Sequence, residues 1–175
     1  NMIESTNCEM PLQSTIHHSQ HTHYGSNKTA DVPSASASFL SLFGFWSSVL
    51  VLKMLAMVIL TTRYRFTKKI FANSEDGFSK KCKVVYDDPD IERVRRNHLN
   101  DLENVLPWFI ITYIWLTTGP SIWLAGILIK TFVISRIIHT LVYAVFPQQP
   151  ARFLSFFFGY CIMGYEAFAS LLYYL

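Results

Sequence analysis

Polar and charged side chains recur along the segment 93–103, in a chain that is otherwise strongly apolar. Arg93, Arg96, Asn100 and Glu103 are spaced i, i+3, i+7 and i+10, which places them on one side of an α-helix. Side chains of similar kinds lie near the ends of other apolar segments: Arg63, Arg65, Arg95, His98, Arg136, His139, Tyr143 and Arg152. Residues 136, 139 and 143 repeat the same helical spacing. The pattern predicts a cationic site that contains one inward-facing carboxylate.

A site of this composition suits a ligand that is mainly anionic and carries one ammonium group. Arginine side chains bind carboxylates through pairs of parallel hydrogen bonds, and Glu103 can hold an amine. An arginine next to a thiol favours the thiolate, which is the reactive nucleophile. Glutathione combines carboxylates, an ammonium group and a thiol, so it fits the predicted site.

Simpler roles compete for several of these residues. Arginines beside a membrane span often bind anionic lipid headgroups, and this accounts equally well for Arg93, Arg95 and Arg96 taken alone. It does not explain Asn100 and Glu103, which lie deeper on the same face. The lipid role is favoured for the basic residues that end the first apolar segment: Arg63, Arg65, Lys68 and Lys69. For His139, the alternative is a hydrogen bond that packs the helices of the bundle together. For Tyr143, the alternative is an aromatic anchor at the membrane interface.

Four long apolar segments have to position this site. Of the 175 residues, 51% are hydrophobic, and they fall into runs of about 20 residues, the length that spans about 30 Å of hydrocarbon. The predicted spans are 39–62, 90–118, 121–146 and 151–175. Asp88-Pro89-Asp90 begins the second helix, and Gly119-Pro120 ends it. The predicted fold class is therefore an all-α integral membrane four-helix bundle.

Residues 1–38 differ from the rest of the chain. They are rich in Ser, Thr, His and Asn and show no periodicity, which predicts a disordered polar tail. Its histidines have no neighbours that would fix a coordination geometry, so we expect no metal site. The net charge of +3 is small, and we expect no nucleic-acid partner.

Basic residues predict the orientation in the membrane. The loop after the first span carries Arg63, Arg65, Lys68, Lys69, Lys80, Lys81 and Lys83. An excess of Lys and Arg beside a span marks its cytosolic side. The N-terminus is then luminal, four spans return the C-terminus to the lumen, and the cationic site faces the cytosol.

Ionisable residues at membrane depth need partners because they are costly to bury alone. If the second and third helices turn near residue 119, Arg136 lies level with Asp101 or Leu102. If the third and fourth turn near residue 148, Lys130 lies level with Glu166. We therefore predict two structural ion pairs, Asp101–Arg136 and Lys130–Glu166, with a proton or ion pathway as the alternative. This reasoning assigns no partner to Lys53.

The segment Glu92–Asn104, with the sequence ERVRRNHLNDLEN and followed by Pro107, resembles the signature of the membrane-associated proteins in eicosanoid and glutathione metabolism, the MAPEG family. Residues 71–76 (FANSED), 136–140 (RIIHT) and 149–152 (QPAR) also resemble that family. The resemblance covers about residues 40–170 and is strongest to the transferase branch and its insect members. Residues 39–175 are thus predicted to be a four-helix MAPEG domain.

The resemblance implies a homotrimer in the endoplasmic reticulum membrane, or in the mitochondrial outer membrane, that binds glutathione between neighbouring subunits. The implied reaction joins the glutathione thiolate to hydrophobic electrophiles, with reduction of lipid hydroperoxides as a side activity. Matched by motif, Arg152 stabilises the thiolate. The implied glutathione contacts are Arg65, Arg95, Arg96, His98, Asn100, Glu103, His139 and Tyr143.

Departures from the family pattern leave two other functions open. In the prostaglandin E synthases of the family, a serine and a tyrosine stand where this chain has Phe153 and Phe156, and an arginine stands in place of Leu99. These differences favour transfer over isomerisation. A non-catalytic lipid-binding scaffold is the third function, and Arg152 argues against it. Gly77 replaces a stress-sensing cysteine, for which Cys82 is a candidate substitute.

Overall fold

The structure, a computed structural model, describes residues 35–77 and 82–175. Helix α1 spans Ala35–Lys68, α2 spans Pro89–Thr117, α3 spans Ile122–Thr140 and α4 spans Gln149–Tyr174. A π-helical turn, Leu141–Val145, continues α3. The predicted all-α four-helix bundle is confirmed.

The first helix extends beyond the predicted first span, which was about 39–62. Helix α1 begins four residues before Phe39 and continues six residues beyond Thr62. Residues 35–38, which we assigned to the polar tail, are therefore helical, because a run of Ser and Ala continues the helix without a breaker. The rest of the predicted tail, residues 1–34, lies outside the described residues.

A short structured loop connects α1 to α2. The strands β1 (Ile70–Phe71) and β2 (Lys83–Val84) pair in parallel, and a 3₁₀ turn covers Ser74–Asp76. Each strand has only two residues, so this pairing fastens the loop without adding a sheet to the core.

Three of the described helical segments are long and apolar enough to cross a membrane: Ser36–Lys68, Ile122–Val145 and Gln149–Tyr174. Helix α2 is also long enough, since 29 residues extend about 44 Å at 1.5 Å per residue. Its first half, however, is strongly polar, so its composition is not that of a simple span. Large apolar side chains are exposed along the bundle, among them Ile59, Ile110 and Phe168. Such a surface is suited to lipid.

Aromatic and branched side chains from all four helices fill the core. Trp108 of α2 is fully buried and stacks on Phe132 of α3, with ring centroids 4.5 Å apart and an angle of 3° between the planes. Leu50 from α1 and Ile162 from α4 pack in the same cluster. Helix α2 thus buries one stripe against the other three helices and leaves the opposite side uncovered.

Side-chain caps and ion pairs fix the start of α2. The carboxylate of Asp88 accepts hydrogen bonds from the backbone N–H groups of Asp90 and Ile91, both at 3.1 Å. The Lys68 ammonium, at the end of α1, contacts Asp88 at 2.8 Å and Asp90 at 2.5 Å. These hydrogen bonds hold the pKa of both aspartates below the ordinary value.

At Gly159, α4 packs closely against α3. A Cβ at this position would lie 3.4 Å from both Phe132 Cε2 and Ser135 Oγ, which is ordinary van der Waals contact. Gly159→Ala should therefore be tolerated, whereas Gly159→Leu has no room for its branch and should cost about 1–3 kcal/mol. Thermal unfolding in detergent measures the difference.

The matched control for this test is Gly44→Leu in α1, where an added Cβ also meets nothing within 4 Å. Similar losses for the two leucine variants would contradict close packing at Gly159.

Candidate active site

A buried carboxylate joins three helices at the inner end of the polar half of α2. Asp101 accepts hydrogen bonds from Lys53 of α1 and from Nη2 of Arg136 of α3, the latter at 2.7 Å. Asp101 and Arg136 are completely buried, and only a tenth of the Lys53 side chain is exposed. The structure thus forms the predicted Asp101–Arg136 contact and adds Lys53 to it.

Residues equidistant from a tight turn between two helices lie at similar depth. This rule assigns no partner to Lys53, because a long loop and not a tight turn joins α1 to α2. The unpaired lysine in an apolar segment was nevertheless a usable signal, because a charge at membrane depth requires a partner.

The predicted Lys130–Glu166 pair is wrong. Glu166 is buried and accepts a hydrogen bond from the Thr112 hydroxyl of α2 at 2.6 Å. Lys130 is exposed on another side of α3, in a groove shared with α1. The two residues lie at similar depth, but their side chains point to different neighbours. Matching depth does not determine which face of a helix a residue occupies.

The predicted glutathione contacts at the start of α2 line a groove between α1 and α2. This α1–α2 groove has a volume of about 460 Å³ and is lined by Arg65, Arg95, Arg96 and His98, with Thr61 and Leu102 on its walls. Arg95 and Arg96 are exposed, and Arg95 contacts Glu92 at 2.5 Å. Exposed guanidinium groups in a groove of this size can bind carboxylates of a small peptide.

The deeper contacts line a second groove, between α2 and α4. This α2–α4 groove has a volume of about 620 Å³, with Asn100 and Glu103 at one wall and Phe156 and Tyr160 at the other. The side-chain oxygen of Asn100 accepts a hydrogen bond from Arg136 Nη2 at 2.8 Å. That contact leaves the Asn100 amide hydrogens available as donors. Glu103 is exposed.

His139, Tyr143 and Arg152 form a third set where α3 turns into α4. The ring of Tyr143 lies 5.5 Å from that of His139, centroid to centroid. The guanidinium carbon of Arg152 lies 4.6 Å from the centre of the Tyr143 ring, a cation–π contact. Gln149 accepts a hydrogen bond from Arg152 Nη2. Gln149 is a neighbour that residue type alone did not single out.

The π-helical turn accounts for this arrangement. At the end of this turn the Phe146 N–H donates a hydrogen bond to the Leu141 carbonyl at 2.8 Å. The Gln148 N–H donates to the Val142 carbonyl at 3.0 Å. Such turns are rare and often occur at functional sites. Here the turn carries Tyr143 and leads into the first turn of α4, where Arg152 lies.

The predicted site residues thus occupy three places within one chain. One face of α2 lines the α1–α2 groove, and another face lines the α2–α4 groove. The third set of residues lies at the connection between α3 and α4. Arg93, which shares the helical spacing of Asn100 and Glu103, instead contacts Asp90 at 2.6 Å. Within residues 35–77 and 82–175, no group of three or more His, Cys, Asp or Glu side chains is arranged to hold a metal ion.

The fold and these polar groups define a membrane helix bundle with ionisable residues at its core and in its grooves. The chain belongs to the MAPEG family, whose sequence profile matches residues 43–172. It is 41% identical to microsomal glutathione S-transferase 1 of Bos taurus over 139 residues, which cover 75% of this chain and 90% of that protein. The Homo sapiens protein of the same name is 40% identical over 139 residues, which again cover 75% of this chain and 90% of that protein.

A second group of relatives has a different name. Prostaglandin E synthase of Homo sapiens is 33% identical over 125 residues, which cover 69% of this chain and 80% of that protein. The resemblance to the MAPEG family is therefore confirmed. Its placement among the insect members stays a prediction.

The charge balance around Asp101 generates a testable prediction. Asp101→Asn would leave two buried cations without an anion and should destabilise the protein by about 3–5 kcal/mol. Lys53→Met should cost less, because it leaves Asp101 and Arg136 as a neutral pair. Thermal unfolding of both variants in the same detergent tests this order. Equal losses would show that charge balance in the core does not set stability.

Proposed function

We propose that this protein is a membrane-bound glutathione transferase that joins the glutathione thiolate to hydrophobic electrophiles. Glutathione is its co-substrate, and reduction of lipid hydroperoxides is a second activity of the same site. Two kinds of support converge on the proposal. The relatives at about 40% identity are named as glutathione transferases, and the grooves of this chain contain the charges that glutathione requires.

The placement of Arg152 carries the proposal. Arg152 lies in the first turn of α4, where the helix dipole also favours negative charge. Phe156 and Tyr160 follow at one-turn intervals on the same face and line the α2–α4 groove. Arg152 therefore lies one helical turn before the first aromatic side chain of this groove. There a thiolate can meet an electrophile that enters from the membrane.

The chemistry follows from these positions. Arg152 donates hydrogen bonds to the thiolate and lowers the pKa of the glutathione thiol, whose proton leaves to water. The sulfur then attacks the electrophilic carbon, a C–S bond forms, and the leaving group departs with its bonding electrons. The Tyr143 ring and Gln149 restrict the guanidinium, so its hydrogen bonds are oriented before the thiolate forms.

Binding of the rest of glutathione requires both faces of α2. The α1–α2 groove supplies guanidinium groups for the carboxylates, and Glu103 in the α2–α4 groove supplies an anion for the ammonium. Glu103 is exposed at a depth where a carboxylate is costly without a partner. We propose that copies of the chain associate as a homotrimer and that each glutathione binds between the α1–α2 groove of one copy and the α2–α4 groove of another.

We place the protein in the endoplasmic reticulum membrane, with the mitochondrial outer membrane as a second location. The basic end of α1 and the start of α2 face the cytosol, where glutathione is supplied. The support is the excess of Lys and Arg beside that end of the bundle.

A glutathione-dependent isomerase is the second candidate function, favoured by the 33% identity with prostaglandin E synthase. Phe153 and Phe156 argue against it, since neither offers a hydroxyl. Phe153 is exposed and stacks on Phe157, and Phe156 stacks on Tyr160. Both of these positions, which follow Arg152 in α4, are therefore apolar.

Removing the guanidinium tests the transferase. Arg152→Ala should lower kcat for conjugation of glutathione to 1-chloro-2,4-dinitrobenzene by about 10²-fold, the loss typical of removing one oriented charge-stabilising donor. Glutathione affinity, measured by equilibrium dialysis, should change far less, because the carboxylate contacts remain. Arg152→Lys should retain part of the rate.

The matched control is Lys69→Ala, which removes an exposed cation outside the grooves and should keep full activity. Glutathione binding without any conjugation by the unmodified protein would overturn the transferase and favour the isomerase.

A mixed oligomer tests whether two copies share the site. Arg65→Ala alters the α1–α2 groove and Arg152→Ala alters α4, so each variant alone should be nearly inactive. Coexpression should restore activity, because a mixed oligomer contains one site with both arginines intact. Mixing the two variants after separate purification is the control and should restore none. Activity of the coexpressed protein no higher than the average of the two variants would place the whole site within one copy.

A further inference from the structure

Lys130 is an ionisable residue at membrane depth that the proposed reaction does not use. It lies eight residues beyond the start of α3, about 12 Å along the helix axis. Its side chain is exposed, and within the described residues it forms no ion pair. A lysine at this depth directs its ammonium toward the nearer membrane surface while its methylene groups stay in apolar surroundings. The ammonium then still needs an anion.

The lysine lies in a groove between the beginnings of α1 and α3, which we name the Lys130 groove. It has a volume of about 600 Å³. Ser38 and Ser41 line the α1 wall, and Trp123 and Gly126 line the α3 wall. A Cβ at Gly126 would meet nothing within 4 Å, so the groove is open at its floor. One cation, two hydroxyls and an apolar wall are thus gathered at one edge of the bundle.

The described carboxylates of a second copy do not lie where they could supply the missing anion. Most described acids belong to the opposite end of the bundle: Glu75, Asp76, Asp87, Asp88, Asp90 and Glu92. Asp101 and Glu166 are buried. Glu103 is exposed, but it lies 14 residues before the end of α2, about 21 Å from the α2–α3 turn. No described, exposed carboxylate therefore lies at the level of Lys130.

We propose that the Lys130 groove binds an anionic phospholipid of the leaflet in which α1 and α3 begin. The Lys130 ammonium and the hydroxyls of Ser38 and Ser41 donate hydrogen bonds to phosphate oxygens. One acyl chain lies along Trp123 and Leu42. A headgroup with net negative charge is preferred, because a zwitterionic lipid neutralises its own phosphate. This lipid site shares no lining residue with the α1–α2 and α2–α4 grooves, and it does not depend on the proposed reaction.

Trp123 provides the probe. It is largely exposed, whereas Trp108 and Trp115 are buried, so lipids with brominated acyl chains should quench its fluorescence. The protein is reconstituted with brominated phosphatidylserine or brominated phosphatidylcholine, and a Trp123→Phe variant gives the signal of the other tryptophans. We expect phosphatidylserine to bind about fivefold more tightly, the ratio that corresponds to about 1 kcal/mol for one basic residue.

Two variants connect the preference to the groove. Lys130→Met should abolish the preference for phosphatidylserine, and Lys130→Arg should keep it. Gly126→Leu should reduce quenching by both lipids, because its side chain fills the groove beside Trp123. Lys83→Met, which removes an exposed lysine from the opposite end of the bundle, is the matched control and should leave the preference intact.

Two results would overturn the proposal. The first is equal quenching by the two lipids in the unmodified protein. The second is a preference that survives Lys130→Met, or one that Lys83→Met removes equally well. Matching thermal unfolding of the variants shows that they are folded.

Discussion

The carboxylate of Asp101 is the group on which the packing of the bundle depends, since it joins α1, α2 and α3 through Lys53 and Arg136. All three charges lie in the apolar interior, where each alone would be strongly unfavourable. Together they carry one excess positive charge. Arg136 also bonds the side chain of Asn100, so the same network orients a residue of the α2–α4 groove. Core stability and the geometry of the proposed site therefore rest on the same contacts.

Helix α2 has opposite requirements on its two sides. The inner side buries Trp108 and Asp101 against the other helices. The outer side exposes Arg96 and Glu103 together with apolar residues such as Ile110. Lipid suits the apolar residues but not Glu103, which needs a cation. The proposed association of copies answers this requirement, because glutathione bound between two copies brings an ammonium group to Glu103.

The connection from α3 to α4 arranges the proposed chemistry. A π-helical turn places the Tyr143 ring against Arg152, which stands in the first turn of α4. The local dipole and the guanidinium both favour an anion at this point. The next turns of α4 present Phe156 and Tyr160 to the α2–α4 groove. In the proposed reaction, an anionic nucleophile and an apolar substrate approach each other along this helix face.

The sequence by itself determined the four helices, the matching depth of Asp101 and Arg136, and the residue types of the proposed site. Run length specifies a helix that reaches across the bilayer, and tight turns at Gly119 and Pro147 align neighbouring helices in depth. Asp101 and Arg136 were paired on that basis and are in contact. Only the tertiary structure decided which helix faces meet. In it, Lys53 contacts Asp101, Glu166 accepts a hydrogen bond from Thr112, and Lys130 lies in a groove beside α1. The physical reason is that helical spacing shows which residues share a face, whereas the packing of the whole bundle determines which neighbour that face contacts.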